Sequence, residues 1–347
     1  MTYVKTLHIQ NIRSHKEYAI DFTPRVTIIT GPNGSGKTSI LEAVYISLQG
    51  SSFRGSDKDI LQRGGPWWRI DSILDDQQTR TIKFDPEKTT GRKQFVIDSK
   101  TTARLPAKLK HPIVLFEPED LRLLHGSPSR RRQFIDRFIS QLNPLYGPAL
   151  RKYERALKQR NNLLKSGRAD NEELFAWNIA LAEHGAYIIE QRIVFIEQIN
   201  QNLNSLYGSL AGVKDEISIH YSHTYVGDIK QKILNELDIN FQKDSYLGAT
   251  STGPHRHDVI FTINNQSAQS VASRGEIRTI VLALKFLEVD IIEQLTGKSP
   301  IVLLDDVFSE LDSSRQKLLT THLKNHQIII TSATSHAGRN LQHIELI

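Results

Sequence analysis

Hydrophobic positions change rhythm twice along this chain. Over the first hundred residues, apolar and polar side chains alternate in short runs at 4–12, 19–22, 69–74, 79–84 and 94–97, and 25–30 is a short apolar run. Period two is the mark of half-buried strands, so these runs predict strands. One stretch departs from it: Ile40, Leu41, Val44 and Leu48 recur at helical spacing, which predicts a helix over 37–48 directly after a glycine-rich turn. From 128 to 165, and again from 171 to about 210, the pattern is long, charged and helical. Phe134, Phe138, Leu142, Leu157 and Leu164 sit there among Arg, Lys and Gln, and 165–170 reads as the turn of a helical hairpin. A strand at 217–221 and a helix at 229–237 follow. The last hundred residues alternate again, with strands at 257–263, 300–304 and 327–331 and helices at 276–293 and 313–324.

This order predicts an α/β domain split by an all-helical insertion, with 1–120 and 246–347 as two halves of one domain and 121–245 as the second. With 39% hydrophobic residues in 347, the chain can fill one large core or two. No run approaches eighteen apolar residues, so no membrane partner or span is expected. The N-terminus alternates like a strand and lacks the layout of a signal peptide. The absence of cysteine excludes disulfides and thiolate metal sites, and a cytoplasmic protein is expected. A net charge of +6 suits a polyanionic partner, although mildly basic soluble proteins are common and charge decides nothing alone.

The glycine-rich turn is more specific. Gly31, Pro32, Asn33, Gly34, Ser35, Gly36, Lys37 and Thr38 satisfy G-x-x-x-x-G-K-[ST] between an apolar strand and a helix. Glycines let backbone N–H groups close around phosphate oxygens, and the helix start aims its positive end at the same anions. Lys37 is expected on the β- and γ-phosphates of ATP, with Thr38 supplying a hydroxyl to Mg²⁺. The run 301–304 ends in Asp305 and Asp306. At the carboxyl end of a buried strand, Asp305 is placed to hold Mg²⁺ through water and Asp306 to orient or deprotonate the attacking water. Ser273, Arg274, Gly275 and Glu276 open a helix. Their spacing fits a capping box, and equally a helix start that binds the γ-phosphate of a nucleotide carried by a second chain.

These three motifs, in this order, resemble the ABC-type ATPases of DNA metabolism, the group of the SMC heads and RecF. Asn11-Ile-Arg13-Ser14-His15 resembles the arginine-containing segment that contacts nucleotide in that group. The stretches 116–121, 126–136, 158–161, 252–258 and 304–312 narrow the resemblance to the RecF family over essentially the whole chain, with a short insertion in place of long coiled coils. The resemblance implies an ABC-type P-loop ATPase head. It also implies ATP-dependent homodimerisation and binding to duplex or gapped DNA, and to single strands. Recombinase loading with RecR and RecO in recombinational repair and replication completes the picture. The wider group carries Glu where Asp306 stands, so slow, switch-like, DNA-stimulated hydrolysis is expected. Ala272 replaces the usual Leu. No switch histidine is assigned near 331–334, His336 included, and no γ-phosphate-sensing glutamine is placed.

Arg130, Arg131 and Arg132 are the candidates for DNA contact, although carboxylates such as Asp120 or Asp136 offer them structural partners instead. The rival readings are a transporter nucleotide-binding subunit, a short SMC-like protein, a small-molecule kinase and a DNA binder that does not hydrolyse.

Overall fold

In the computed structural model the chain is described over residues 3–88, 91–166, 171–333 and 342–346. The turn expected at 165–170 lies largely outside these residues, as do Thr334 and His336. The chain divides into two units, 1–121 with 284–347, and 122–283.

The first unit holds two sheets and a helix buried between them. Strands β1 (Val4–Ile12) and β2 (His15–Asp21) pair antiparallel as a tight hairpin. Strand β3 (Val26–Thr30) leads into helix α1 (Lys37–Gln49), and a single-turn helix α2 (Asp57–Ile60) follows. Strands β4 (Trp68–Leu74), β5 (Thr79–Phe84), β6 (Lys93–Ile97) and β7 (Lys100–Thr102) extend the hairpin into a six-stranded sheet of order β2-β1-β4-β5-β6-β7. The alternation seen in the sequence becomes one buried face: Val4, Leu7, Ile9, Ile70, Ile82 and Phe95 all belong to the core.

Strand β8 (Ile113–Phe116) belongs to the second sheet, and its apolar run was not among the expected strands. Much later in the chain, β12 (Ile301–Asp305), β13 (Ile328–Ser332) and β14 (Gln342–Glu345) join it. The order is β14-β3-β13-β12-β8, with every pairing parallel. Strands buried on both faces read as unbroken apolar runs, as 301–304 and 328–330 do. Helix α1 differs from its amphipathic expectation. Ile40, Leu41, Val44 and Leu48 are buried, and so are Ser39, Glu42, Ala43 and Ser47. Small and paired polar side chains occupy the face that periodicity assigns to solvent; the Ser47 and Ser72 hydroxyls, for example, lie 2.5 Å apart.

The second unit contains helices α3 (Pro128–Leu142), α4 (Tyr146–Ser166), α5 (Asn171–Ala211), α6 (Ile229–Ile239) and α7 (Phe241–Leu247). The single helical stretch expected over 128–165 is two helices. The break falls at Asn143-Pro144, where proline disfavours helical geometry in the residue before it and the Asn143 side chain accepts from Leu145 N–H. The unit is not all helical. Strands β9 (Ile217–Tyr221), β10 (Val259–Ile263) and β11 (Gln266–Ser267) form an antiparallel sheet, followed by α8 (Ala268–Val271) and the start of α9 (Arg274–Thr296). It therefore runs to 283, where the sequence placed a boundary at 245. Helix α10 (Ser313–His322), capped by the Asp312 carboxylate, connects β12 to β13 in the first unit. Among the described residues no helix is long and apolar enough to cross a membrane.

Candidate functional site

Strand β3 stops at Thr30 and the chain turns through Gly31–Thr38 at the carboxyl edge of the parallel sheet. Gly34 and Gly36 have φ of 87° and 94°, the left-handed region that glycine enters without steric cost. A Cβ on Gly31 would lie 2.7 Å from the Leu346 carbonyl and 2.8 Å from Ser35 Oγ, so close packing also requires glycine there. Gly36 caps α1 without a side-chain hydrogen bond, and the first turn holds no acid. Such a helix start keeps backbone N–H groups and positive dipole for an anion. Ser35 Oγ is buried and has no hydrogen-bond partner among the described residues. Lys37 is 4% exposed, and its ammonium donates to the carbonyls of Gly31 at 2.8 Å and Pro32 at 3.1 Å. Glycine cradle, orphaned hydroxyl, uncapped helix and buried ammonium fit a polyphosphate.

Asp305 closes β12, and β13 separates that strand from β3. Across this gap Thr38 Oγ1 donates to Asp305 Oδ1 at 2.8 Å, bringing together two residues 267 positions apart. Thr331, the penultimate residue of β13, also donates to Asp305 Oδ1 at 2.8 Å and accepts from the Asp306 N–H at 3.0 Å. Burial raises the Asp305 pKa against the opposing hydrogen bonds from Thr38 and Thr331, with Asp306 adding like charge and Arg54 opposing. Hard oxygen donors with room for water are what Mg²⁺ takes, so Thr38 and Asp305 fit that ion. Asp306 has φ of 52°, a conformation that costs a non-glycine residue on the order of 1–3 kcal/mol and is held by its N–H bonds to Thr331. Thr331 was missed by sequence reasoning. Its signal was the first polar side chain after the apolar run 328–330.

Arg13 lies at the tip of the β1–β2 hairpin, and its guanidinium pairs in two-point fashion with Glu42 of α1 at 3.0 and 3.1 Å. Glu42 is fully buried and also accepts from Ser52. The hydrogen bond to Glu42 is the main reason the Arg13 pKa rises. Arg13 thus braces the hairpin against the helix that carries Lys37 and Thr38.

In the second unit, Ser273 N–H donates to Glu276 at 2.6 Å and Glu276 N–H donates to Ser273 Oγ at 3.3 Å. The capping box is therefore formed, with Ser273 and Arg274 exposed and Gly275 half-buried at the helix start.

The arginine triplet separates into three environments. Arg131 is 6% exposed, pairs with both Asp258 oxygens at 2.8 and 2.7 Å, and donates to the carbonyls of Leu124 and Gly126. It is a structural residue and drops out of the DNA candidates, because a guanidinium committed to four bonds inside its own unit presents nothing to a nucleic acid. Arg132 is half-buried and donates to the His257 carbonyl at 2.7 Å; burial lowers its pKa, with Arg192 adding like charge. Arg130 is less covered than Arg131.

Parallel sheet, phosphate loop and acidic strand end together define a P-loop ATPase head of the ABC type. A family model described as "AAA domain" matches residues 6–330. The chain is 35% identical over 335 residues to the DNA replication and repair protein RecF of Clostridium perfringens (strain SM101), covering 95% of this chain and 92% of that one. A solved structure of the recombination mediator protein RecF with ATP, in the RecFOR pathway, superposes with a TM-score of 0.86 at 28% identity, covering 97% of this chain and 94% of the other. The fold alone extends to the Smc head domain derived from Pyrococcus furiosus, at a TM-score of 0.51 and 16% identity. The chain belongs to the RecF family.

Proposed function

We propose that this protein is a cytoplasmic, ATP-binding DNA-repair ATPase whose nucleotide state governs its hold on DNA. The observation that supports the reading is the 2.8 Å contact between Thr38 and Asp305, which joins the phosphate loop to the acidic strand end. Backbone N–H groups of 33–38 bind the phosphates, Lys37 neutralises their charge, and Thr38 and Asp305 would hold Mg²⁺. Bound there, the ion draws charge from the phosphate oxygens. Asp306 orients or deprotonates the attacking water. Its carboxylate is one methylene shorter than the glutamate of related ATPases, which favours slow, DNA-stimulated hydrolysis suited to a switch.

The exposed helix start at Ser273–Glu276 completes the site of a second chain, so ATP joins two copies head to head on duplex or gapped DNA. RecR and RecO are the partners that RecF relatives point to, with recombinase loading in recombination and replication as the outcome. Membership of the RecF family sets aside the transporter-subunit and kinase readings.

Mixing two inactive variants tests the shared site. Lys37→Met destroys the phosphate loop of its own chain and Ser273→Arg blocks the helix start. The mixture should recover up to about a quarter of wild-type ATPase activity, as random pairing leaves one intact site in half of the dimers. No recovery, with both variants folded, would remove the shared site and leave a self-contained one.

A further inference from the structure

We infer that His15 is a positioning residue for the phosphates of a bound nucleoside di- or triphosphate, acting through the peptide that joins Gly36 to Lys37. This rests on the reading of 31–38 as the phosphate site.

His15 Nε2 lies 3.1 Å from the Gly36 carbonyl oxygen. A carbonyl only accepts, so Nε2 carries the proton and donates. The same oxygen receives the N–H groups of Ser39 at 2.9 Å and Ile40 at 3.3 Å, the first bonds of α1. It is therefore held from two sides, by the helix and by the imidazole. In a trans peptide the C=O and the following N–H point in opposite directions. Fixing the Gly36 carbonyl thus fixes the Lys37 N–H toward the cradle, at a helix start with no side-chain cap.

The approach is close. A Cβ on Gly36 would overlap the His15 ring and lie 2.5 Å from Ser14 Oγ, so hairpin tip and loop fit only with glycine at 36. The hairpin tip is rigid. Arg13 N–H donates to the Ile60 carbonyl at 2.8 Å, Gln62 N–H to the Asn11 carbonyl at 3.0 Å, and Ile12 bridges to Leu61. Arg13 grips Glu42 on α1, and the Tyr18 ring sits 5.4 Å from the imidazole. His15 thus stands on a braced support and prepays the order that a phosphate ligand would otherwise impose on the loop.

The test compares ATP and ADP affinity, by titration calorimetry, for wild type, His15→Ala, His15→Gln and Lys37→Ala, alongside kcat at saturating ATP and the thermal midpoint. Glutamine places an amide N–H near the position of Nε2. His15→Ala should weaken both nucleotides about fivefold, the effect of one ordinary hydrogen bond. It should leave kcat within about twofold, and His15→Gln should recover most of the affinity. Unchanged affinity in His15→Ala would overturn the proposal, as would equal weakening in the alanine and glutamine variants with the midpoint kept. The phosphate-site reading fails separately, if wild type binds neither nucleotide or Lys37→Ala binds them as well as wild type.

Discussion

Arg160 and Lys37 are both buried cations, one in each unit, and their surroundings differ in kind. Arg160 is fully buried among Asp244 at 2.7 Å, Asn178 at 2.7 Å and Thr250 at 2.8 Å. Arg192 pairs likewise with both Asp136 oxygens and donates to Tyr221 and the Pro254 carbonyl, while Tyr146 donates to Asp136. These clusters in the second unit close on themselves. Lys37 reaches just two loop carbonyls among the described residues, Ser35 keeps an orphaned hydroxyl in the same loop, and burial pushes the Asp305 carboxyl pKa up. Buried polar groups that satisfy each other fix a fold. Buried polar groups left with capacity mark where a ligand supplies the remainder.

The sharpest way to break this contrast is to remove one member of a closed cluster. Arg192→Ala leaves Asp136 buried and uncompensated, and should lower the unfolding free energy in urea by about 3–5 kcal/mol. Lys37→Ala, which removes a charge with no carboxylate partner among the described residues, should shift it by less than about 1 kcal/mol. Equal losses would erase the distinction between the two regions.

Acid should act on the same distinction. Burial pushes the His255 and His257 imidazoles down to about 4 from an ordinary 6.5, with Arg132 nearby opposing protonation of both. Histidines held neutral in the fold but free to protonate when unfolded stabilise fully above pH 6.5, and that contribution is lost as pH falls from 6.5 toward 4. At pH 5 the loss should be about 2 kcal/mol for each, and His257→Phe should flatten the pH profile of urea unfolding. A wild-type profile flat between pH 7 and 5 would contradict it.

How much of this was legible in the sequence follows from how local each feature is. The phosphate loop and the 305–306 pair are contiguous strings with a fixed strand-and-helix context, and they could be read directly. Strands with alternating faces, such as Val4–Ile12 and Thr79–Phe84, were readable to the residue. Helix α1 was placed correctly, but its all-round burial was not, because Glu42 pairs with Arg13 and Ser47 with Ser72, contacts that periodicity does not encode. Strand β8 is only four residues long, and β14 carries alternating polar residues at the edge of its sheet. The fates of Arg130, Arg131 and Arg132 were illegible because Asp258, 127 residues away, selects one of three adjacent guanidinia. Thr331 and His15 act through contacts that exist only once the sheet and hairpin are assembled.

The smallest expected effect sharpens that last point. Arg130→Ala should reduce DNA affinity modestly and lower the slope of log affinity against log salt by about one, with stability unchanged. Arg131→Ala should lose stability first. If the two variants behave alike, burial was a poor guide to which arginine reaches DNA.

The central claim, that ATP closes two copies of this chain on DNA, is tested most directly by solution mass. The Asp306→Asn protein, slowed in hydrolysis, would be measured with ATP and with ADP, each with and without gapped DNA. A dimer of the 39.5 kDa chain is expected with ATP, tightened by DNA, and a monomer with ADP. A monomer under every condition, with ATP binding intact, would contradict it.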